Sequence, residues 1–129
     1  MALAEYGNKL GTAFQIVDDV LDYQSDSGSM GKNVGDDLAE GKTTLPLIYA
    51  MRDGTDAQSA LIAKAVIDDG IEALDEVLQA IDSTKAIRNS LFTAKAYAEQ
   101  ASDALSVLPA SEYRDALIAI ADYAVRRST

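Results

Sequence analysis

A chain of 129 residues, 48% hydrophobic and 25% charged, has the length and make-up of one soluble globular domain with a real core. Eleven basic residues against 21 acidic ones leave a net charge of −10, which argues against nucleic acid as a partner, since phosphate backbones need clustered Lys and Arg. Cysteine and histidine are both absent. That removes disulfides, thiol nucleophiles, thiolate metal sites and imidazole bases, so any catalysis must run on carboxylates, lysines, amides or a hard metal ion.

The N-terminus, MALAEYGNKLG, lacks the basic start and apolar middle of a signal peptide, and no apolar run reaches the length of a membrane span. The expected location is cytoplasmic. Met1 leads straight into periodic residues with no cap ahead of them, as in a chain that begins inside a helix. That first helix extends to about Asp26. Wound at about 100° per residue, it gathers Leu3, Tyr6, Leu10, Ala13, Val17, Val20 and Leu21 on one apolar side. The opposite side collects Gly7, Gly11, Gln15, Asp18, Asp19 and Asp22, with Phe14 at its margin. Each helical glycine costs roughly 1 kcal/mol against alanine. A stripe running from glycine through amide to carboxylate therefore has the character of a cavity wall. Asp18 and Asp22 are four apart and repel unless solvated or neutralised by a cation. Hard divalent ions such as Mg²⁺ take carboxylate oxygens and bridge them to phosphate. The ordinary alternative is a solvated acidic face; the glycine stripe and the apolar far side favour a site.

Six of the eight glycines lie between positions 7 and 41, so a glycine-rich front precedes a plain helical back. Ser25 to Thr44 is expected to be a polar loop, long enough to be functional. Its GKTT at Gly41 to Thr44 is not a P-loop: five residues rather than four separate Gly35 from Gly41, and a helix, not a strand, precedes it. Lys32 and Lys42 remain as flexible cations suited to phosphate, against the ordinary reading of solvated surface charges.

Thr44 is the expected N-cap of a helix with Pro46 in its first turn and Gly54 at its end. Asp56 starts the next helix, with Leu61, Ile62, Ala65 and Val66 inside and Gly70 closing it. Asp68, Asp69 and Glu72 read as solvated charges at that junction. Ile71 to Ile81 forms another helix. Ser83 is the expected cap of the longest one, Thr84 to Leu108, whose seam of Ile87, Leu91, Ala94, Ala98, Ala101, Leu105 and Leu108 alternates steps of four and three. Pro109 ends it. Ser111 caps the last helix, with Tyr113, Leu117, Ile120 and Ala124 inside and Arg126 and Arg127 at its basic end. The expectation is all-α: six helices, no strand, and one all-helical segment over residues 1–129.

Phe14 to Tyr23 (FQIVDDVLDY) and Gly31 to Leu47 (GKNVGDDLAEGKTTLPL) resemble the second aspartate-rich region of the trans-prenyl (polyprenyl) diphosphate synthases, and within them the long-chain bacterial octaprenyl type. The YGxxLGxAFQ lead-in and a tail of the form LPxxxxRxAL extend the resemblance over nearly the whole chain. It implies a helical bundle of the isoprenoid-synthase fold around an apolar cavity, with two aspartate-rich motifs holding Mg²⁺ against an allylic diphosphate. The metal stabilises the leaving diphosphate, isopentenyl diphosphate attacks the allylic cation, and no histidine or cysteine is needed. By match, Asp18, Asp19 and Asp22 form the second metal motif, Asp18 binding directly and Asp22 directly or through water. Lys32 and Lys42 correspond to the loop lysines on the allylic diphosphate. Phe14 and Gln15 correspond to the pair lining the reacting centre, and Arg126 and Arg127, more weakly, to a basic tail near isopentenyl diphosphate.

Family members are considerably longer, and the first aspartate-rich motif, the chain-length floor and most of the dimer contact precede this stretch. The chain is therefore expected to be the C-terminal portion of a homodimeric synthase, inactive in elongation by itself and prone to self-association through uncovered apolar surface. A non-catalytic partner or regulatory subunit of the same fold is the alternative. The intact metal motif and both lysines speak against that alternative, since a dead subunit has no need of them; an unrelated acidic helical scaffold is a third reading.

Overall fold

The structure, a computed structural model, describes residues 2–24 and 35–126, and the side chains of all of these except 69 and 71. Seven α-helices follow one another among the described residues, with no strand. They are α1 (Ala2–Gln24), α2 (Asp36–Ala39), α3 (Leu45–Asp53), α4 (Asp56–Lys64), α5 (Leu74–Ser83), α6 (Ala86–Ala104) and α7 (Glu112–Arg126). A π turn (Ala65–Asp69) and a 3₁₀ turn (Gly70–Ala73) join α4 to α5, and a second 3₁₀ turn (Leu105–Val107) extends α6. No described helix is long and apolar enough to cross a membrane. The chain divides into two compact units, residues 18–90 and residues 1–17 with 91–129.

In the 18–90 unit, Tyr23, Leu38, Leu47, Ala50, Ile62, Ala65, Val77, Ala80, Ile81 and Ala86 form one buried cluster. Thr44 stands at the N-cap of α3 and Pro46 in its first turn, as expected, but the Thr44 side chain makes no capping bond. α4 starts at Asp56, as expected, and Thr55 is its N-cap. Thr55 and Gln58 form a reciprocal box, with the Gln58 amide donating to Thr55 Oγ1 at 3.1 Å and the Thr55 amide donating to Gln58 Oε1 at 2.9 Å. Thr55→Ala removes one of these bonds and is expected to lower stability by about 1 kcal/mol, read as a shift of the urea midpoint at unchanged slope. Ile62 and Ala65 are buried, while Leu61 and Val66 are half-buried. The helix expected from Ile71 starts at Leu74, because the 3₁₀ turn takes up the preceding residues.

Ser83 does not cap α6. It is the last residue of α5, where its hydroxyl donates to the Ala80 carbonyl at 3.2 Å and accepts from Gln58 Nε2 at 3.1 Å. Thr84 Oγ1 donates to the same Ala80 carbonyl at 2.7 Å. Hydroxyls turned back on the preceding turn satisfy orphan carbonyls at a C-terminus, so they close α5 instead of opening α6. Lys85 then takes φ +58°, which separates the two helices.

In the other unit, Tyr6, Ala101, Leu105 and Ala121 are buried together, with Leu10, Ala104, Leu108 and Leu117 against them. The Tyr6 hydroxyl donates to the Leu117 carbonyl at 2.7 Å. Lys9 lies 5.4 Å from the centre of the Tyr97 ring, within cation–π range. Ala94, Ala98 and Ala101 are buried along α6 as the seam predicts. Ser111 caps α7, accepting from the Arg114 amide at 3.1 Å. The inner side of α7 differs from expectation. Leu117, Ala121 and Ala124 face in, while Tyr113 is 84% and Ile120 50% exposed. Leu117 and Ala124 are inside as expected, and Ala121, a small residue that allows close helix approach, takes the inner place expected of Ile120. Leu3, also expected inside, is exposed.

Candidate functional site

The three aspartates close α1 within the 18–90 unit, and they are not equivalent. Asp18 is exposed, Asp19 is half-exposed and Asp22 is only 4% exposed. Asp22 is held by what lies next to it. Its carbonyl accepts from the Gly35 amide at 3.1 Å, and its Oδ2 accepts from the Asp37 amide at 3.3 Å. One residue therefore fastens both ends of the turn that opens α2. Gly35 sits there at φ +86°, a left-handed conformation that costs a residue with a Cβ roughly 1–2 kcal/mol.

This is where the expectation of a loop from Ser25 to Thr44 needs correction. Residues 25–34, with Lys32, lie outside the described residues, but 36–39 are helical, with Leu38 fully buried and Asp37 buried beside it. The helix is too short to show a period, so it left no pattern in the sequence. Its far end is closed by a Schellman motif. The Lys42 amide donates to the Asp37 carbonyl at 2.9 Å, and the Gly41 amide to the Leu38 carbonyl at 2.9 Å. Gly41 has φ +76°, and a Cβ there would meet the Val66 carbonyl oxygen at 3.3 Å. The GKTT glycine is thus a helix terminator.

Lys42 emerges directly from that motif. Its Nζ lies 3.0 Å from Glu40 Oε2 and 3.7 Å from Asp37 Oδ1, with the side chain largely exposed. Glu40 first, and Asp37 after it, raise its affinity for the proton. A permanently charged ammonium held on two carboxylates and open to solvent can exchange one of them for a phosphate oxygen. Asp37 therefore joins Asp22 to Lys42, through its amide to one and its carboxylate to the other.

Behind this chain lies Tyr23, buried, with its hydroxyl beside that of Thr44; neither hydroxyl completes a hydrogen bond of ordinary geometry. Burial, and then the Asp22 charge, push the Tyr23 phenol above its usual 10.0. Its folded-state affinity for the proton is the higher one, so its contribution to stability is complete below pH 10 and fades as pH climbs past that point.

Phe14 and Gln15 are on α1 in the other unit, both exposed. Arg126 is in that unit too, where its guanidinium pairs with Asp122 at 2.8 Å one turn back. Arg127 lies outside the described residues. Among the described residues, no three acids converge as a ready-made metal cage. Gly7 and Gly11 face open space, with no atom within 4 Å of an added Cβ. The residues that motif reading passed over are Asp37, Tyr23 and the paired turn glycines. Asp37 was visible only as one more acid of a polar loop.

Residues 1–84 match the family model described as polyprenyl synthetase. The chain belongs to that family. It is 52% identical over 128 residues to octaprenyl diphosphate synthase of Haemophilus influenzae, a match covering 98% of this chain and 39% of the relative. With the octaprenyl diphosphate synthase of Escherichia coli it shares 46% identity over 126 residues, covering 97% of this chain and 39% of the relative. Among solved structures, polyprenyl synthase from Caulobacter crescentus, complexed with calcium and isoprenyl diphosphate, superposes with a TM-score of 0.86 at 37% identity over 99% of this chain and 40% of that one. Heptaprenyl diphosphate synthase from Staphylococcus aureus gives a TM-score of 0.88 at 30% identity, with 99% and 40% covered. The all-α, isoprenoid-synthase expectation is met. The chain spans about 39% of the length of the curated relatives it matches.

Proposed function

We propose that this chain supplies the metal- and diphosphate-holding portion of an octaprenyl-type polyprenyl diphosphate synthase, which lengthens an allylic diphosphate with isopentenyl diphosphate. The observation that carries the reading is the direct hydrogen-bonded and ionic connection of the DDxxD helix, through Asp37, to a solvent-facing lysine. The carboxylates of exposed Asp18 and half-exposed Asp19 offer hard oxygen donors suited to Mg²⁺, and the calcium-containing relative supports use of a divalent ion. Two carboxylates suffice where phosphate oxygens and water complete the shell. The ion, when bound, draws charge from the departing diphosphate. Asp22, the third aspartate, turns its carboxylate inward onto the Asp37 amide, which leaves the ion to Asp18 and Asp19. Lys42 binds and orients the diphosphate, and Phe14 and Gln15 keep the roles that the resemblance implies.

The test is a chimera in which this chain replaces the matching segment of the Haemophilus influenzae synthase, assayed with radiolabelled isopentenyl diphosphate and farnesyl diphosphate. Elongation is expected. Lys42→Ala in that chimera should raise KM for the allylic diphosphate about tenfold or more, the loss of one charge-assisted hydrogen bond. A well-folded chimera without elongation overturns the proposal. The 129-residue chain by itself is expected to form no product in the same assay.

A further inference from the structure

Asp22 is the one aspartate of the motif that the fold has buried, and its contacts face the chain, not solvent. Four contacts follow one another. Asp22 takes the Gly35 amide on its carbonyl and the Asp37 amide on Oδ2. Asp37 takes the Lys42 amide on its carbonyl and the Lys42 ammonium near its carboxylate. Between them, α2 is only four residues long, far below the length at which a helix persists unaided. Gly35 makes no side-chain cap at its N-terminus, so the Asp22 carboxylate does the work of an N-cap from 15 residues upstream.

Resting on the proposed function, we propose that Asp22 is a positioning residue: its carboxylate places Lys42 for the diphosphate by anchoring the first turn of α2, a role that requires an oxygen acceptor and not a negative charge. A metal ligand has the opposite requirement. Asparagine keeps an oxygen able to accept from the Asp37 amide but gives up the charge that a hard divalent ion needs. Asp22→Asn and Asp22→Ala therefore separate the two roles.

Amide hydrogen exchange on the chain, wild type and both variants, reads the anchor directly. Protection at Gly35, Asp37 and Lys42 should fall about tenfold or more in Asp22→Ala and stay within about threefold of wild type in Asp22→Asn. Asp22→Leu fills similar space without an acceptor and replaces the alanine variant if that one loses its far-UV helix signal. Calorimetry of the chimeric synthase with inorganic pyrophosphate and Mg²⁺ then reads the consequence. Asp22→Asn should retain affinity within about threefold, and Asp22→Ala should lose about as much as Lys42→Ala. Equal protection in all variants overturns the anchor, and so does a loss of pyrophosphate affinity in Asp22→Asn as large as in Asp22→Ala. A well-folded chimera that ignores Mg²⁺ and pyrophosphate overturns the functional assignment and the role toward diphosphate, while exchange on the chain still decides the anchor.

Discussion

Asp18→Ala in the chimeric synthase is expected to lower kcat/KM by about 100- to 1,000-fold, equivalent to roughly 2.7–4 kcal/mol of transition-state stabilisation, while leaving the melting temperature nearly unchanged. The contrast follows from placement. Asp18 is exposed on the last turns of α1, so shortening it opens no core cavity; exposed changes of that kind stay within about 0.5 kcal/mol. On the proposed function its value is chemical: departing diphosphate charge would be met by metal, and the metal by hard oxygen donors. Raising Mg²⁺ should recover part of the loss, since weaker binding is offset by mass action. Steady-state kinetics at two Mg²⁺ concentrations, beside a thermal melt, check both halves. Activity within about threefold of the parent would remove Asp18 from the metal site.

The parts of this fold that were legible in the sequence are those with enough length to show a period. The buried face of α1 through Tyr6, Ala13, Val17 and Val20, and the alanine seam of α6, could be read from spacing alone. Short and non-local features could not. A four-residue α2 has no period, and its N-terminal partner is Asp22, far back in the chain. Ser83 and Thr84 precede a helix as caps do, yet their hydroxyls serve the helix behind them. Tyr113 and Ile120 fit a hydrophobic pattern, yet Ala121 took the inner position because a small residue allows the closer approach. The site shows the same division. DDxxD and Lys42 were visible as motif residues, but the difference between exposed Asp18 and buried Asp22 depends on Gly35 and Asp37 folding back over the end of α1. That lies in tertiary structure and no spacing rule contains it.

Leu38→Ala should be the costliest core change near the site, lowering stability by about 3 kcal/mol and the melting temperature by on the order of 10 °C. Leu38 is the only large apolar side chain on α2, and it is fully buried in the cluster that includes Tyr23, Leu47, Ile62 and Val77. A helix of one turn cannot stabilise itself by its own hydrogen bonds, because nucleation fixes several dihedrals for a single bond. What holds α2 is therefore this one side chain, the Asp22 anchor at one end and the glycine-terminated turn at the other. Truncating the leucine leaves a cavity that the short helix can only fill by moving, and a movement of α2 carries Lys42 with it. The prediction is a coupled loss: a lower urea midpoint, and hydrogen exchange at the Lys42 amide accelerated beyond what the global destabilisation accounts for. Leu38→Met, which nearly conserves volume, should cost less than about 1.5 kcal/mol and spare the Lys42 amide. If Leu38→Ala costs under 1 kcal/mol, or if Lys42 protection is untouched while the core is weakened, then α2 is held by something other than its buried leucine, and the placement of Lys42 does not depend on the core beneath it.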